Sequence, residues 1–263
     1  MILPEIDPIA LQIGPLVIRW YSLTWIAAFF TIYYLLTKRS KNLSSEKISD
    51  LMFYGIMGAI IGGRCGYMLF YGTEQLLSDP FSIFYIWQGG LSFHGGLMGV
   101  LLACYFLSKR WNIKFFWLMD IVAPCVPPGL GLVRVGNFLN SELLGRPTDS
   151  SWGLIFPSDP LGLLRHPSQL YQAFAEGVIL FVFLIWISRK PKPTMNISGY
   201  FLIGYGVARF ITEFFRTPDA DIGFVAFDFL TRGQILCLPM MVIGIILIYY
   251  SHLNKSPKNE TIS

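Results

Sequence analysis

Apolar residues fall along this chain in long runs separated by short polar segments, and those runs set the first expectation. A bilayer core about 30 Å thick is crossed by about 20 mostly apolar helical residues. Seven stretches approach that length: 17–37, 51–71, 93–108, 115–133, 169–188, 199–215 and 233–250. The third is short and glycine-rich, and charge interrupts the sixth. The pattern predicts an all-α integral membrane protein of about seven transmembrane helices. The opening MILPEIDPIALQIGPLVIRW has no basic segment before its apolar run and is broken by prolines. That run therefore reads as a retained anchor, not a cleaved signal.

The polar segments orient these spans, because Lys and Arg are held on the cytoplasmic side. With the N-terminus outside, the cytoplasmic segments hold twelve of them: Lys38, Arg39, Lys41 and Lys47; Lys109, Arg110 and Lys114; Arg189, Lys190 and Lys192; Lys255 and Lys258. The external segments hold five arginines and no lysine. The expectation is a single polytopic membrane domain over residues 1–250, N-terminus outside and C-terminus cytoplasmic. Its external loops are 72–92, 134–168 and 216–232, and 251–263 is a cytoplasmic tail. Two external segments, FSIFYIWQGGLSF (81–93) and IGFVAFDFL (222–230), are aromatic and nearly uncharged. They read either as an aromatic belt at headgroup depth or as an access for a lipid or membrane-tethered peptide.

Composition agrees with a membrane protein. Apolar residues make up 54% of the chain and charged ones 14%, against about 25% charged in soluble domains. The net charge of +4 is spent on topology and asks for no nucleic-acid partner. Four cysteines lie in apolar runs and three histidines stand far apart, so neither a disulfide framework nor a metal motif is expected. No Walker loop, GxGxxG or HExxH is present, and no cofactor is expected.

Against this background some polar residues stand out. An ionised side chain at mid-span costs about 2.5–3.5 kcal/mol on insertion scales, and such groups usually face a cavity or a partner. Arg64, Asp120, Glu176, Arg209 and Glu213 all sit within apolar runs. Tyr205, Arg209 and Glu213 follow at i, i+4, i+8 and share a helix face. That face holds either a self-satisfied Arg–Glu pair or a guanidinium braced by glutamate and aimed at an anion. In LVRVGNFLNSELLGR (132–146), Arg134 and Asn137 share a face if the fourth helix runs through them. The arginine fork suits a phosphate, and Asn137 and Asn140 suit a hydroxylated headgroup. Glu142 could hold Arg146 or a substrate hydroxyl. LSFHGGLMG (91–99) puts His94 at the start of a span, and RHPSQLYQ (165–172) does the same for His166. A structural role and a functional one stay open for each histidine.

Taken together, IRWYSL, GGRCGYMLFY, SFHGGLMG, GLGLVRVGNFLNSELLGR, RHPSQLYQ and YGVARFITEFFRTPD resemble the bacterial prolipoprotein diacylglyceryl transferase family, in its order and over most of the chain. The resemblance implies a multi-pass enzyme of the bacterial cytoplasmic (inner) membrane with its active site toward the external, periplasmic face. It implies transfer of the diacylglyceryl group of phosphatidylglycerol to the lipobox cysteine thiol of a preprolipoprotein signal peptide, forming a thioether and releasing glycerol 1-phosphate. Phosphatidylglycerol, such peptides and membrane lipids would be the partners. By motif, Arg134 grips the headgroup, with Asn137, Asn140 and Glu142 around it. Arg209 and Glu213 match a second essential constellation, His94 the histidine of the HGG motif, and Tyr21 the tyrosine of the first span. Arg64, Tyr67 and His166 match further family positions.

That chemistry suits these residues. A thiol is a poor nucleophile until deprotonated, and negative charge gathers on the departing phosphate. Arg134 and Arg209 would supply positive charge. His94 is the candidate base by residue type, with Tyr21 or the departing phosphate as alternatives. A transporter for a polar anion, or an enzyme acting on another lipid carrier, would use the same residue types.

Overall fold

A computed structural model describes residues 2–14, 16–218, 223–227 and 229–253. The end of the expected tail, with Lys255 and Lys258, lies outside the described residues, as do 219–222 and 228 of the expected loop 216–232.

The chain is mostly helical. A hairpin of β1 (Ile9–Ile13) and β2 (Leu16–Arg19) runs directly into α1 (Trp20–Arg39), and α2 (Ser45–Phe70) and α3 (Thr73–Ser78) follow. Two 3-10 turns, Pro80–Phe84 and Ile86–Gln88, lead to α4 (Phe93–Arg110). Next come α5 (Phe115–Val122), a 3-10 turn over Ala123–Cys125, and α6 (Val126–Leu139). Pro124, Pro127 and Pro128 lack the N–H that an unbroken α-helix needs, and the winding tightens there. Two strands of two residues each, β3 (Leu154–Ile155) and β4 (Leu164–Arg165), pair antiparallel. Then α7 (Ser168–Gln172) continues through a π-helical turn, Ala173–Ile179, into α8 (Leu180–Ile187). After α9 (Asn196–Thr212) and a 3-10 turn over Glu213–Phe215, β5 (Phe224–Ala226) pairs with β6 (Leu230–Thr231), and α10 (Arg232–Leu253) follows.

Among the described residues, four helical segments are long and apolar enough to cross a membrane: Ser45–Phe70, Phe115–Leu139, Ser168–Ile187 and Arg232–Leu253. The three other expected spans are also helical, as α1, α4 and α9, with 20, 18 and 17 residues. The fourth expected span runs six residues further than its apolar run, to Leu139, so Arg134 and Asn137 lie on helix, not loop. Among the described residues, three short hairpins add a little β-structure that the apolar runs do not foretell.

Burial is inverted relative to a water-soluble fold. Val182 and Trp186 of α8 are 58% and 64% exposed, whereas Gln169, Gln172, Glu176, Glu213 and Gln234 are buried. Such an arrangement suits an apolar solvent outside and polar partners inside.

The Cα positions form two compact units, residues 1–35 with 120–263, and residues 36–119. In the larger unit, Asp120 caps α9 from a distance in sequence. Its carboxylate accepts from the amides of Met195 and Ser198, each at 2.7 Å, and from the Ser198 hydroxyl at 2.6 Å. A helix N-terminus favours such a negative partner, which explains a carboxylate in an apolar run. In the smaller unit, α2 and α4 meet backbone to backbone through Gly58, Gly62 and Gly66 against Gly95 and Gly99. A Cβ at Gly99 would overlap the Gly58 carbonyl, so only small residues permit this approach. Ser92 caps α4 by accepting from the Gly95 amide at 3.3 Å, while its own amide donates to the Gly63 carbonyl at 2.8 Å.

Candidate active site

The candidate site grows from one close helix crossing. Gly131 of α6 lies against Gly177 of the π-helical turn, where a Cβ on Gly177 would stand 2.8 Å from the Gly131 Cα. Arg134 is one turn beyond Gly131, and Glu176 precedes Gly177, so the crossing sets their side chains face to face. The π-helical winding is a local departure of the kind found at functional sites. Helix α9, packed on the same turn, contributes Arg209 and Thr212, and its 3-10 extension contributes Glu213.

These groups form an alternating chain of charge. Arg134 donates from Nε and Nη2 to Glu176 Oε2 at 3.4 and 3.5 Å. The other Glu176 oxygen lies 3.6 Å from Arg209 Nη1. Arg209 Nη2 meets Glu213 Oε2 at 2.7 Å, and Glu213 Oε1 accepts from Arg216 Nη1 at 3.3 Å. Thr212 donates to Glu176 at 3.5 Å and Thr231 to Glu213 at 3.1 Å. Glu176 thus serves two guanidinium groups and saturates neither. Arg134 reaches it only at the long end of hydrogen-bonding range, and Arg209 Nη1 is buried with no hydrogen-bond acceptor among the described residues. A buried N–H left unmet costs stability, more so on a charged group, and an anion would meet it. Both carboxylates are buried, while the Arg134 side chain keeps 20% of its surface exposed and so marks the side from which an anion can arrive. On the α9 stripe, Arg209 is paired with Glu213 and also joins a longer chain of charge through Glu176. Tyr205 instead stacks on Phe201, with ring centroids 6.1 Å apart.

Beyond Arg134 the end of α6 carries the amide cluster. Asn137 Nδ2 donates to Glu142 Oε2 at 3.3 Å and Asn140 Nδ2 to Glu142 Oε1 at 2.8 Å. Gln169 Nε2 donates to the Glu142 carbonyl at 2.5 Å. Ser141 and Leu143, on either side of Glu142, have φ of 53° and 55°. Left-handed backbone at non-glycine residues costs energy and collects at functional sites. The Oδ1 atoms of Asn137 and Asn140 are buried and have no partner in the protein among the described residues. Tyr21 packs nearby: a Cβ at Gly136 would stand 3.2 Å from Tyr21 Cδ2. Tyr21, Arg134, Asn137, Asn140, Glu142, Arg209 and Glu213 thus belong to one region of the larger unit.

Three other expected site residues sit differently. His166 shares an aromatic cluster with Phe215 and Tyr171, and its Nδ1 lies 3.3 Å from the Tyr171 hydroxyl. Burial among these rings lowers its pKa. Beside it, Arg165 donates to both oxygens of Asp159 at 2.7 and 3.0 Å, an ion pair that braces the β3–β4 loop. Arg64 and His94 belong to the smaller unit. Buried Arg64 donates to four backbone carbonyls: Ile83 at 3.2 Å, Ser82 at 2.6 Å, and Gly89 and Gly90 at 2.5 and 3.3 Å. Four of its five N–H groups are thereby committed to the loop that leads into α4. Tyr67 lies beneath this guanidinium, 5.8 Å away. His94 is exposed on the first turn of α4, its ring edge-on to Phe93.

Glu176 is the member that sequence reasoning leaves without a role, although it is the carboxylate joining the two key arginines. An acid in an apolar run is its only signal, because its hydrogen-bond partners Thr212 and Arg134 lie 36 and 42 residues away. Arg216, Thr212 and Thr231 carry weaker signals still.

Comparisons with known proteins identify the family. A family model described as "Prolipoprotein diacylglyceryl transferase" matches residues 8–250. A phosphatidylglycerol–prolipoprotein diacylglyceryl transferase of Pseudomonas putida is 52% identical over 260 residues, covering 97% of each chain. Proteins of the same name from Acinetobacter baumannii and Acinetobacter baylyi are 49% and 48% identical, each covering 96% of this chain and 95% and 94% of their own.

Proposed function

Because the chain belongs to the prolipoprotein diacylglyceryl transferase family, we propose that it transfers the diacylglyceryl group of phosphatidylglycerol to a prolipoprotein. In this reading the acceptor is the thiol of the lipobox cysteine. The thiolate attacks the glyceryl carbon that bears the phosphodiester. A carbon–sulfur bond forms, the carbon–oxygen bond breaks with its electron pair passing to the phosphate, and glycerol 1-phosphate departs.

The observation behind this reading is the pair of incompletely satisfied guanidinium groups, Arg134 and Arg209, set about one shared carboxylate. A phosphodiester monoanion supplies the acceptors they lack. As the bond breaks, negative charge grows on the phosphate, and fixed guanidinium groups in a water-poor site stabilise that change without reorganising. Arg134 grips the phosphate through its accessible face, and Arg209 completes the grip. Glu176 holds the two forks at a set spacing. Asn137, Asn140 and Glu142 receive the hydroxylated end of the headgroup, and Tyr21 closes that side against Gly136. By residue type, His94 is the candidate base for the thiol proton, with Tyr21 or the departing phosphate as alternatives. Arg64 acts as a positioning residue for the loop before α4, and His166 supports the headgroup region through its aromatic neighbours. Seven spans with the N-terminus outside, supported by the distribution of lysines, put the site toward the external face of the bacterial inner membrane.

The test uses purified protein in detergent with phosphatidylglycerol and a peptide carrying a lipobox cysteine. Glycerol 1-phosphate should appear only with the cysteine peptide, and a Cys-to-Ser peptide should give none. Equal release with both peptides would refute the assigned acceptor.

A further inference from the structure

Two antiparallel helical segments meet along the candidate site, and their contacts form rungs. At one rung Arg134 of α6 meets Glu176 of the π-helical turn. At the other the Glu142 carbonyl, just past α6, meets Gln169 of α7. The first rung carries charge and the second carries amides. Between Gln169 and Glu176 on the second segment lies Gln172, three residues from one and four from the other, on the stripe that faces α6.

Gln169 and Gln172 are among the most deeply buried side chains of the described chain, with 0% and 1% exposure. Each keeps one polar atom that has no partner among the described residues: Oε1 of Gln169 and Nε2 of Gln172. Together with the Oδ1 atoms of Asn137 and Asn140, the rung offers three unmet acceptors and one unmet donor. Each buried amide atom left unmet costs stability, so four of them on the packed pair α6 and α7 call for a ligand that meets them. Hydroxyl groups match this set, since each both donates and accepts.

We propose that Gln172 and Gln169 form a hydroxyl-reading subsite for the glycerol of the lipid headgroup, next to the phosphate held by the arginines. The proposal rests on the transferase reading and names how that site chooses its donor lipid. Acceptors alone would also welcome an ammonium headgroup. The Gln172 Nε2 donor requires a lone pair, which an ammonium group lacks and a hydroxyl supplies. Gln172 is thus the discriminating residue, and Gln169 fixes the outer hydroxyl.

The experiment compares phosphatidylglycerol with phosphatidyl-1-propanol of the same acyl chains, whose headgroup keeps the phosphodiester but lacks both free hydroxyls. Wild type and Gln172→Leu are assayed in detergent with the cysteine peptide. Loss of one neutral hydrogen bond corresponds to about tenfold. The preference for phosphatidylglycerol in kcat/KM should shrink about tenfold in Gln172→Leu, chiefly through KM. An unchanged preference, with both lipids slowed alike, would overturn the proposal and leave Gln172 a packing residue. Binding of glycerol 1-phosphate and of propyl phosphate to wild type, measured by calorimetry, is independent of turnover and of any variant's folding. Glycerol 1-phosphate should bind about tenfold or more tightly, and equal affinities would also overturn the proposal. If wild type transfers neither lipid yet prefers glycerol 1-phosphate, the transferase reading fails and the subsite stands.

Discussion

Replacing Glu176 with glutamine tests the charge chain at its centre. Glu176 is fully buried between Arg134 at 3.4 Å and Arg209 at 3.6 Å. At an effective dielectric constant of about 20, each attraction is worth about 5 kcal/mol before desolvation. Glu176→Gln would keep the shape and remove the charge, leaving the two guanidinium groups with one more unit of net positive charge. Breaking a buried pair by removing one partner costs about 3–5 kcal/mol, so the variant should melt clearly below wild type in detergent. The consequence for catalysis is distinctive. An extra unit of positive charge strengthens attraction for the phosphodiester, so KM for phosphatidylglycerol should hold or fall. The arginine forks lose their common brace, and a misplacement of about 1 Å costs about 100-fold, so kcat should fall by about that factor. Steady-state rates across a phosphatidylglycerol series, with thermal melting on the same preparations, separate the two effects. Wild-type kcat, or a raised KM with unchanged kcat, would refute the bracing role.

Three further outcomes follow from the same geometry. Arg64→Lys has three donors where four carbonyls are met; proteolysis within 80–90 should accelerate several-fold, and unchanged cutting would contradict the clamp. Gly99→Ala sets a methyl group against the Gly58 carbonyl and should lower stability by at least about 1 kcal/mol, read as a lower melting temperature. Arg165 holds the Asp159 carboxyl below the ordinary carboxylate value of about 3.9. A depressed folded value gives stability that is full above that ordinary value and lost as pH falls through the folded one. The melting gap between wild type and Asp159→Asn should therefore close below about pH 4, and a constant gap from about pH 7 to about pH 3 would contradict it.

The helices are legible because apolar runs report them directly, and each of the seven expected stretches is helical over most of its length, the first only from Trp20 because residues 17–19 belong to β2. The ends are less so: α6 runs on to Leu139 because helix continues through polar residues that an apolar count stops at. The short hairpin strands, two residues each in β3 and β4, are below the length at which alternation can be read. The arginines and asparagines of the site stand out as polar residues in apolar surroundings, and the family resemblance gathers them. What the letters do not carry is partnership. Asp120 looks like Glu176 in sequence, yet one caps a helix through backbone amides and the other bridges two arginines. Arg64 looks like Arg134, but its partners are backbone carbonyls, which every residue possesses and no motif marks.

The central claim is that the arginine chain holds a phosphate that leaves while the glyceryl carbon is passed to sulfur. Intact-mass measurement of the lipobox peptide after reaction with phosphatidylglycerol tests it most directly. The account predicts a peptide heavier by one diacylglyceryl group, without phosphorus, and one glycerol 1-phosphate released for each peptide modified. A product that retains the phosphate, or one acylated by a single fatty chain, would contradict it.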